Sequence, residues 1–291
     1  MISISPVATY FFKQTVPIAP PAETADASGE ETTHFSSVGE AVRSALADSD
    51  PRVIVFGEIH PMYGSRVGLP KAYFADEVLP VLRDEGILDV TVEQIRNDPA
   101  IERELDYFYE TGRFGSISTP TLWQTVNIFS DWRELVHMLF RARALGIRIH
   151  PGGITMAQAE ETIERDDCYT NVELGHKIWR YFEEAGRGAA DRMLATGRRF
   201  AMYNGMMHHE FVANRVSEEM PESDTNYGEY LAQTLGDEYA EFEFLPRGSL
   251  GTLLLNDSLD FYGVSNWLEL MPETGVNLVE RGAHSHLLFI G

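Results

Sequence analysis

The sequence predicts an α/β fold in which a mostly parallel central sheet is flanked by helices and the functional site lies at the carboxyl ends of the strands. Short β-branched and apolar runs alternate with longer stretches of helical periodicity, the pattern of strand-helix-strand units. The clearest run, Val53-Ile54-Val55-Phe56, is apolar at every position, as strands covered on both faces are. It leads into Gly57-Glu58-Ile59-His60, so a carboxylate and an imidazole stand just past its end, where open α/β sheets bind their ligands.

Residues 14–35 are rich in Pro, Ala, acids and hydroxyls and carry no periodic apolar face. Residues 1–35 therefore read as an extended or mobile arm, and 36–291 as a single α/β domain. Val38, Val42 and Leu46 recur every four residues behind Ser37 and Glu40, which resembles a capped helix. After His60, Gly64, Gly68 and Pro70 mark a loop; Tyr73, Val78, Val81 and Leu82 then form a helical stripe with a kink expected at Pro80. Ile87 to Val92 is the next strand, and it delivers Glu93-Gln94 at its end.

Ile101, Leu105 and Phe108 give a helix from Pro99 to Tyr109. Asp131 to Leu145 is the most amphipathic stretch, with Trp132, Leu135, Val136, Leu139 and Phe140 on one side and Gly146 as its stop. Ile147 to His150 is a third strand, closed by Pro151-Gly152-Gly153. Residues 155–196 hold two or three helices, the best marked running from Val172 to Ala185. Arg199 to Tyr203 is a fourth strand, followed by Asn204-Gly205-Met206-Met207-His208-His209 and a helix from Glu210 to Met220. Helix Tyr227–Leu235 and strand Tyr239–Leu245 continue the alternation. Residues 247–291 are rich in loop formers and close on a strand from His284 to Ile290.

Composition narrows the partners. With 23 Lys+Arg against 45 Asp+Glu, the net charge of −22 repels phosphate backbones and anionic membrane surfaces, so a small-molecule or peptide substrate is expected and nucleic acid and membrane are not. The same acidity serves solubility. The one cysteine, Cys168, lies in a polar run and rules out an intramolecular disulfide or a thiolate metal cluster. No basic, apolar leader opens the chain and no apolar run reaches about 18 residues, so a soluble cytoplasmic protein is expected.

If the four strands are parallel neighbours, Glu58, His60, Glu93, His150, His208 and His209 share one rim. Such imidazoles and carboxylates suit Zn²⁺, Mn²⁺, Co²⁺ or Fe²⁺, and an ion held there would acidify water and polarise a carbonyl. Plainer readings stand beside this one. Gly57 and Gly205 suit tight turns, the glutamates suit helix capping, and His209 reads as a neighbour turned toward a helix. Arg66 either binds an anionic substrate group or makes a surface salt bridge. His284 and His286 alternate on one strand face, a spacing found in metal sites and in any half-exposed strand. Tyr63, Tyr203, Met202, Met206 and Met207 read as pocket walls, although haem iron would need one of the tyrosines.

The two units Gly57-Glu58-Ile59-His60 and Gly205-Met206-Met207-His208, each a Gly-x-x-His behind an apolar strand, resemble the signature of the superfamily that contains the Tiki metalloproteases, the ChaN-like haem-binding proteins and the erythromycin-esterase-like hydrolases. Val92-Glu93 resembles its strand-end glutamate, and Asp131-Trp132 with Ala144 to Ile149 its helix-to-strand passage; the resemblance covers roughly residues 50–245. His209 stands where a small polar residue is expected. The resemblance implies a pocket at the strand ends in which Glu58, His60, Glu93 and His208 are the functional positions. The expected activity is metal-dependent cleavage of an amide or ester, with His60, His208 and Glu93 or Glu58 holding a divalent ion and the other glutamate acting as general base. In a metal-free variant His60 activates water and Glu58 orients its ring. The alternatives are a haem-binding protein without catalysis, and other chemistry on a peptide or small metabolite at the same site.

Overall fold

A computed structural model describes residues 32–47, 49–58, 70–115, 132–163, 172–205, 227–249, 267–282 and 284–291. The protein is α/β. Among these residues eight strands form one sheet: β1 (Thr32–Phe35), β2 (Val53–Glu58), β3 (Asp89–Val92), β4 (Arg148–Pro151), β5 (Phe200–Gly205), β6 (Tyr239–Pro246), β7 (Val276–Glu280) and β8 (Ser285–Ile290). Their order is β1-β7-β8-β6-β2-β5-β3-β4. Every pair from β8 to β4 is parallel, while β7 runs against both of its neighbours.

The apolar run at Val53 becomes the inner strand β2, buried at all six positions and paired with β5 on one side and β6 on the other. Gly57 does not end the strand: it pairs with Asn204 and Glu243, and Glu58 pairs with Gly205 and Phe244. Pleating sends alternate residues to opposite layers. Ile54 and Phe56 join one core with α1 (Val38–Leu46), α3 (Leu79–Asp84), α4 (Pro99–Thr111) and α5 (Trp132–Leu145). Val53 and Val55 join another with α7 (Val172–Leu194) and α8 (Tyr227–Leu235); α6 (Met156–Glu161), between α5 and α7 in sequence, packs through Ala159 in a small third cluster. Phe56 anchors the first layer, stacked on Phe242 at 5.2 Å and met edge-on by Phe74 at 5.3 Å.

Local chemistry sets the helix ends. The Ser37 side chain accepts the Glu40 N–H, and the Glu40 carboxylate turns back to the Ser36 N–H and hydroxyl, which closes the start of α1. Gly112 and Gly146, at φ 73° and 72°, end α4 and α5 in the left-handed conformation glycine adopts without strain. In place of a simple kink at Pro80, a short helix α2 (Pro70–Tyr73) passes into a π turn (Phe74–Val78) and then into α3. Proline has no N–H for the ladder, and the wider turn lets the Leu79 N–H reach five residues back to the Phe74 carbonyl.

Some expectations change. Thr32–Phe35, read as part of the arm, is the exposed edge strand, held to β7 by main-chain pairing and by a 2.8 Å contact between His34 and Asn277. The strand β7 carried no signal within the loop-rich stretch before His284. Phe140 does not join the buried side of α5: it is 45% exposed and lies edge-on against Phe108 and Phe114. The helix beginning at Val172 runs on to Leu194. The helix expected from Glu210 to Met220 lies outside the described residues. Among those described, no helix is long and apolar enough to cross a membrane.

One feature of the topology positions the site. The helices that follow β2 pack on the Phe56 layer, whereas α8, the next described element after β5, packs on the Val55 layer. Adjacent parallel strands whose connections leave toward opposite faces open a crevice at their carboxyl ends.

The π turn also lies tightly against α1. A side chain at Gly39 would place its first carbon 2.9 Å from the Glu77 carbonyl oxygen. Gly39→Ala gains roughly 1 kcal/mol of helix propensity, but overpacking against backbone costs about 1–3 kcal/mol. The variant is expected to be less stable than the parent in urea unfolding.

Candidate functional site

Glu58 ends β2 with its carboxylate buried under three donors. Lys71 Nζ lies 2.5 Å and Gln94 Nε2 2.9 Å from Oε1, and the Tyr203 hydroxyl donates to Oε2 at 2.5 Å. The Lys71 and Glu58 side chains are 2% and 0% exposed. Tyr203, on the same face one strand away, lies beneath Phe74 with ring centroids 4.5 Å apart. Burial first, and then the Glu58 charge, push its phenol far above the ordinary value, so it remains a protonated donor. Four segments meet here: β2, β5, the turn after β3, and α2.

Lys71 and Gln94 were not singled out in the sequence. A signal for Lys71 exists: with Phe74, Ala75 and Val78 it falls at positions i, i+3, i+4 and i+7, which puts a lysine on an apolar helical face. Those three residues are buried in the core.

Glu93 follows β3 and extends its pairing, its N–H donating to the Tyr203 carbonyl at 3.1 Å. Its carboxylate accepts the Gly205 N–H at 2.7 Å, so it binds the end of β5 directly. Glu93 belongs to the other layer. It is the largest charge acting on buried Tyr227, whose phenol burial pushes far up, with Glu183 and Glu243 adding to the effect. The two glutamates thus share the carboxyl edge while serving opposite faces of the sheet.

His60, Tyr63, Arg66, His208 and His209 lie outside the described residues. Their strands do not: β2, which leads to His60, and β5, which leads to His208, are hydrogen-bonded neighbours with Glu58 in register with Gly205. Glu58 does not suit a metal ligand, because an ammonium and two neutral donors hold its oxygens and a second cation would meet the Lys71 charge. Among the described residues no three His, Cys, Asp or Glu side chains gather to hold a metal. Tyr203, considered as a haem ligand, instead has its buried hydroxyl committed to Glu58.

His150 does not join the rim. Its Nε2 lies 2.7 Å from Oδ1 of Asp89, the first residue of β3, while Arg198 holds the other Asp89 oxygen at 2.7 Å. Burial lowers the His150 pKa despite that partner. His284 and His286 also part company. His284 precedes β8 at φ 62°, and His286 is buried within the strand, stacked on Phe242 at 4.7 Å. Both lie at the amino end of β8, and the register sets His286 level with Phe242 and Phe56, on a strand separated from β2 by β6, so neither stands at the carboxyl end of β2 with Glu58.

No protein-family model and no curated protein matches the sequence. Among solved structures, the chain is similar to RRSP, a MARTX toxin effector domain from Vibrio vulnificus CMCP6, with 18% identity and a TM-score of 0.39 over 60% of this chain and 31% of that one. It is also similar to the type III effector HopBA1, with 14% identity and a TM-score of 0.42 over 73% of this chain and 86% of that one. A protein from Bacillus cereus shares 11% identity with a TM-score of 0.45 over 72% of this chain and 75% of that one. A further match, described as bacterial protein toxins, is 19% identical with a TM-score of 0.37 over 60% of this chain, which spans 31% of that chain's length.

Two outcomes are expected. Lys71→Met leaves the Glu58 carboxylate buried without its cation and costs about 3–5 kcal/mol, whereas the double change with Glu58→Gln recovers most of the loss; urea unfolding of both variants measures it. His286 has a pKa lowered from 6.5 to about 4, chiefly by burial and then by His284 and Arg281. The unfolded chain takes up this proton first, so the stabilisation is complete above pH 6.5 and disappears as pH falls toward 4. It amounts to on the order of 3 kcal/mol. His286→Phe should flatten that limb of the stability curve between pH 7 and pH 4.

Proposed function

We propose that the chain is a hydrolase of the group that contains the Tiki metalloproteases and the erythromycin-esterase-like enzymes, cleaving an amide or ester in the crevice between the ends of β2 and β5. The observation that carries this reading is the adjacency of the two strands. They run side by side with Glu58 opposite Gly205, and the next described elements after them pack on opposite layers of the sheet. Two and three residues of chain reach at most about 7 and 11 Å, so His60 and His208 are tethered to one short stretch of sheet edge. Glu93 is tied to the end of β5 through the Gly205 N–H.

The chemistry follows from these residue types. His60 takes a proton from water as the water oxygen bonds to the substrate carbonyl carbon. The bond to the leaving nitrogen or oxygen then breaks, and that atom receives the proton. Glu58, fixed by Lys71, Gln94 and Tyr203, orients the His60 ring from two residues away, and His208 and Glu93 complete the polar rim. Glu58 is already paired with an internal cation and so serves as the ring-orienting acid, while His60, His208 and Glu93 are the residues that would hold a divalent ion, which would acidify the water. The acidic surface sets no long-range penalty on a neutral or basic peptide or a small ester.

The test measures hydrolysis of p-nitrophenyl acetate and of a fluorogenic casein substrate by the purified chain, before and after dialysis against EDTA. His60→Ala and His208→Ala are each expected to lower kcat by about 100-fold or more, the scale of a lost general acid or base. Unchanged hydrolysis in both variants removes the reading. Activity that EDTA abolishes and Mn²⁺ or Zn²⁺ restores replaces the metal-free mechanism with a metal-dependent one held by His60, His208 and Glu93.

A further inference from the structure

We propose that Lys71 is a positioning residue of this site, and that its ammonium is the resident cation through which Glu58 holds the ends of three strands in one arrangement. The activity arm of the test rests on the hydrolase reading above; the spectroscopic arm does not.

Lysine is rarely buried unless paired, and removing both charges of a pair from water is costly. An apolar pair of similar volume often serves stability as well or better. Lys71 is nonetheless 1% exposed on a helical face it shares with Phe74, Ala75 and Val78, and its ammonium lies 2.5 Å from Glu58 and 5.9 Å from the centre of the Tyr203 ring. The partners of Glu58 explain what the arrangement accomplishes. Tyr203 belongs to β5, which leads to His208; Gln94 directly follows Glu93; and Glu58 itself stands two residues before His60.

A single carboxylate therefore fastens the three segments that carry the proposed reacting groups. Lys71 is the charged group among its described donors, and charge-assisted contacts are stronger than neutral ones. Without that charge the carboxylate must shed its own charge or shift toward other donors, and the bonds to Tyr203 and Gln94 change together. The position also bears on cation choice. A divalent ion seated on Glu58 would have to displace or repel Lys71, so the fold supplies a fixed cation where the ligand pattern suggested a metal.

The test uses the full chain labelled with [ζ-¹³C]tyrosine, the Tyr203 signal being assigned by its loss in Tyr203→Phe. Lys71→Met is expected to move the Tyr203 resonance by more than its linewidth, in the direction set by Glu58→Gln, and Lys71→Arg to return it toward the parent position. In p-nitrophenyl acetate hydrolysis, Lys71→Met is expected to lower kcat at least tenfold with KM within twofold, and Lys71→Arg to recover at least a third of the parent kcat. A folded Lys71→Met chain that keeps both the parent resonance and the parent kcat overturns the proposal. Should Lys71→Met fail to fold, the neutral double variant Lys71→Met with Glu58→Gln is measured instead; parent kcat in that chain overturns the proposal, and a tenfold loss supports it. A parent chain that leaves the ester intact removes the hydrolase reading, and the tyrosine resonance then decides the role of Lys71 by itself.

Discussion

A carboxylate and an ammonium meet at the end of the inner strand with almost no access to water. Neither charge would be tolerable there alone, since an isolated ion in a low-dielectric interior either loses its charge or draws in solvent. Their presence therefore dictates much of what surrounds them. A helix must bring a lysine to the apolar face that also carries Phe74, a tyrosine must come from the next strand to occupy the second carboxylate oxygen, and an amide must come from the turn after β3. The π turn belongs to the same arrangement, because it lies between the lysine and α3, which packs into the core through Leu79 and Leu82.

Pleating separates the two acids that the sequence aligns at one edge. Glu58 continues the series Ile54, Phe56 and so faces the layer of Tyr203, while Glu93 continues Asp89, Thr91 and faces Tyr227. The edge is thus bordered by two carboxylates reaching around it from opposite faces, one neutralised by Lys71 and one receiving a main-chain N–H from Gly205. Between them lie the ends of β2 and β5, the strands that lead in sequence to the two histidine motifs.

Much of this was legible in the sequence where the signal is local. The unbroken apolar run at Val53 gave an inner strand because only a strand covered on both faces tolerates it, and the spacing within Tyr227–Leu235 matches the helix that forms there. The edge strands were not legible. Thr32–Phe35 is short and mostly exposed, and β7 mixes Asn277 and Glu280 with its apolar positions, so pairing with each other and with β8 defines both. Position along a strand also failed to give direction. His150 sits near the end of β4, yet its ring bonds to Asp89 at the start of the neighbouring strand, a partner 61 residues away in sequence. Lys71 was hidden for a related reason: lysine is ordinarily a surface residue, and the acid that makes its burial tolerable becomes its neighbour only in the folded chain.

The strand order carries a consequence for how the chain reaches this state. The middle of the sheet is β2, but its two partners are built from residues beginning at Phe200 and Tyr239, and the outer parallel strand β8 arrives only at Ser285. A ribosome therefore releases the most apolar strand long before anything exists to cover its hydrogen-bonding edges. Until residues 200–246 have been made, Val53–Phe56 lacks both of its neighbouring strands, and an unpaired apolar strand of this kind favours self-association during folding.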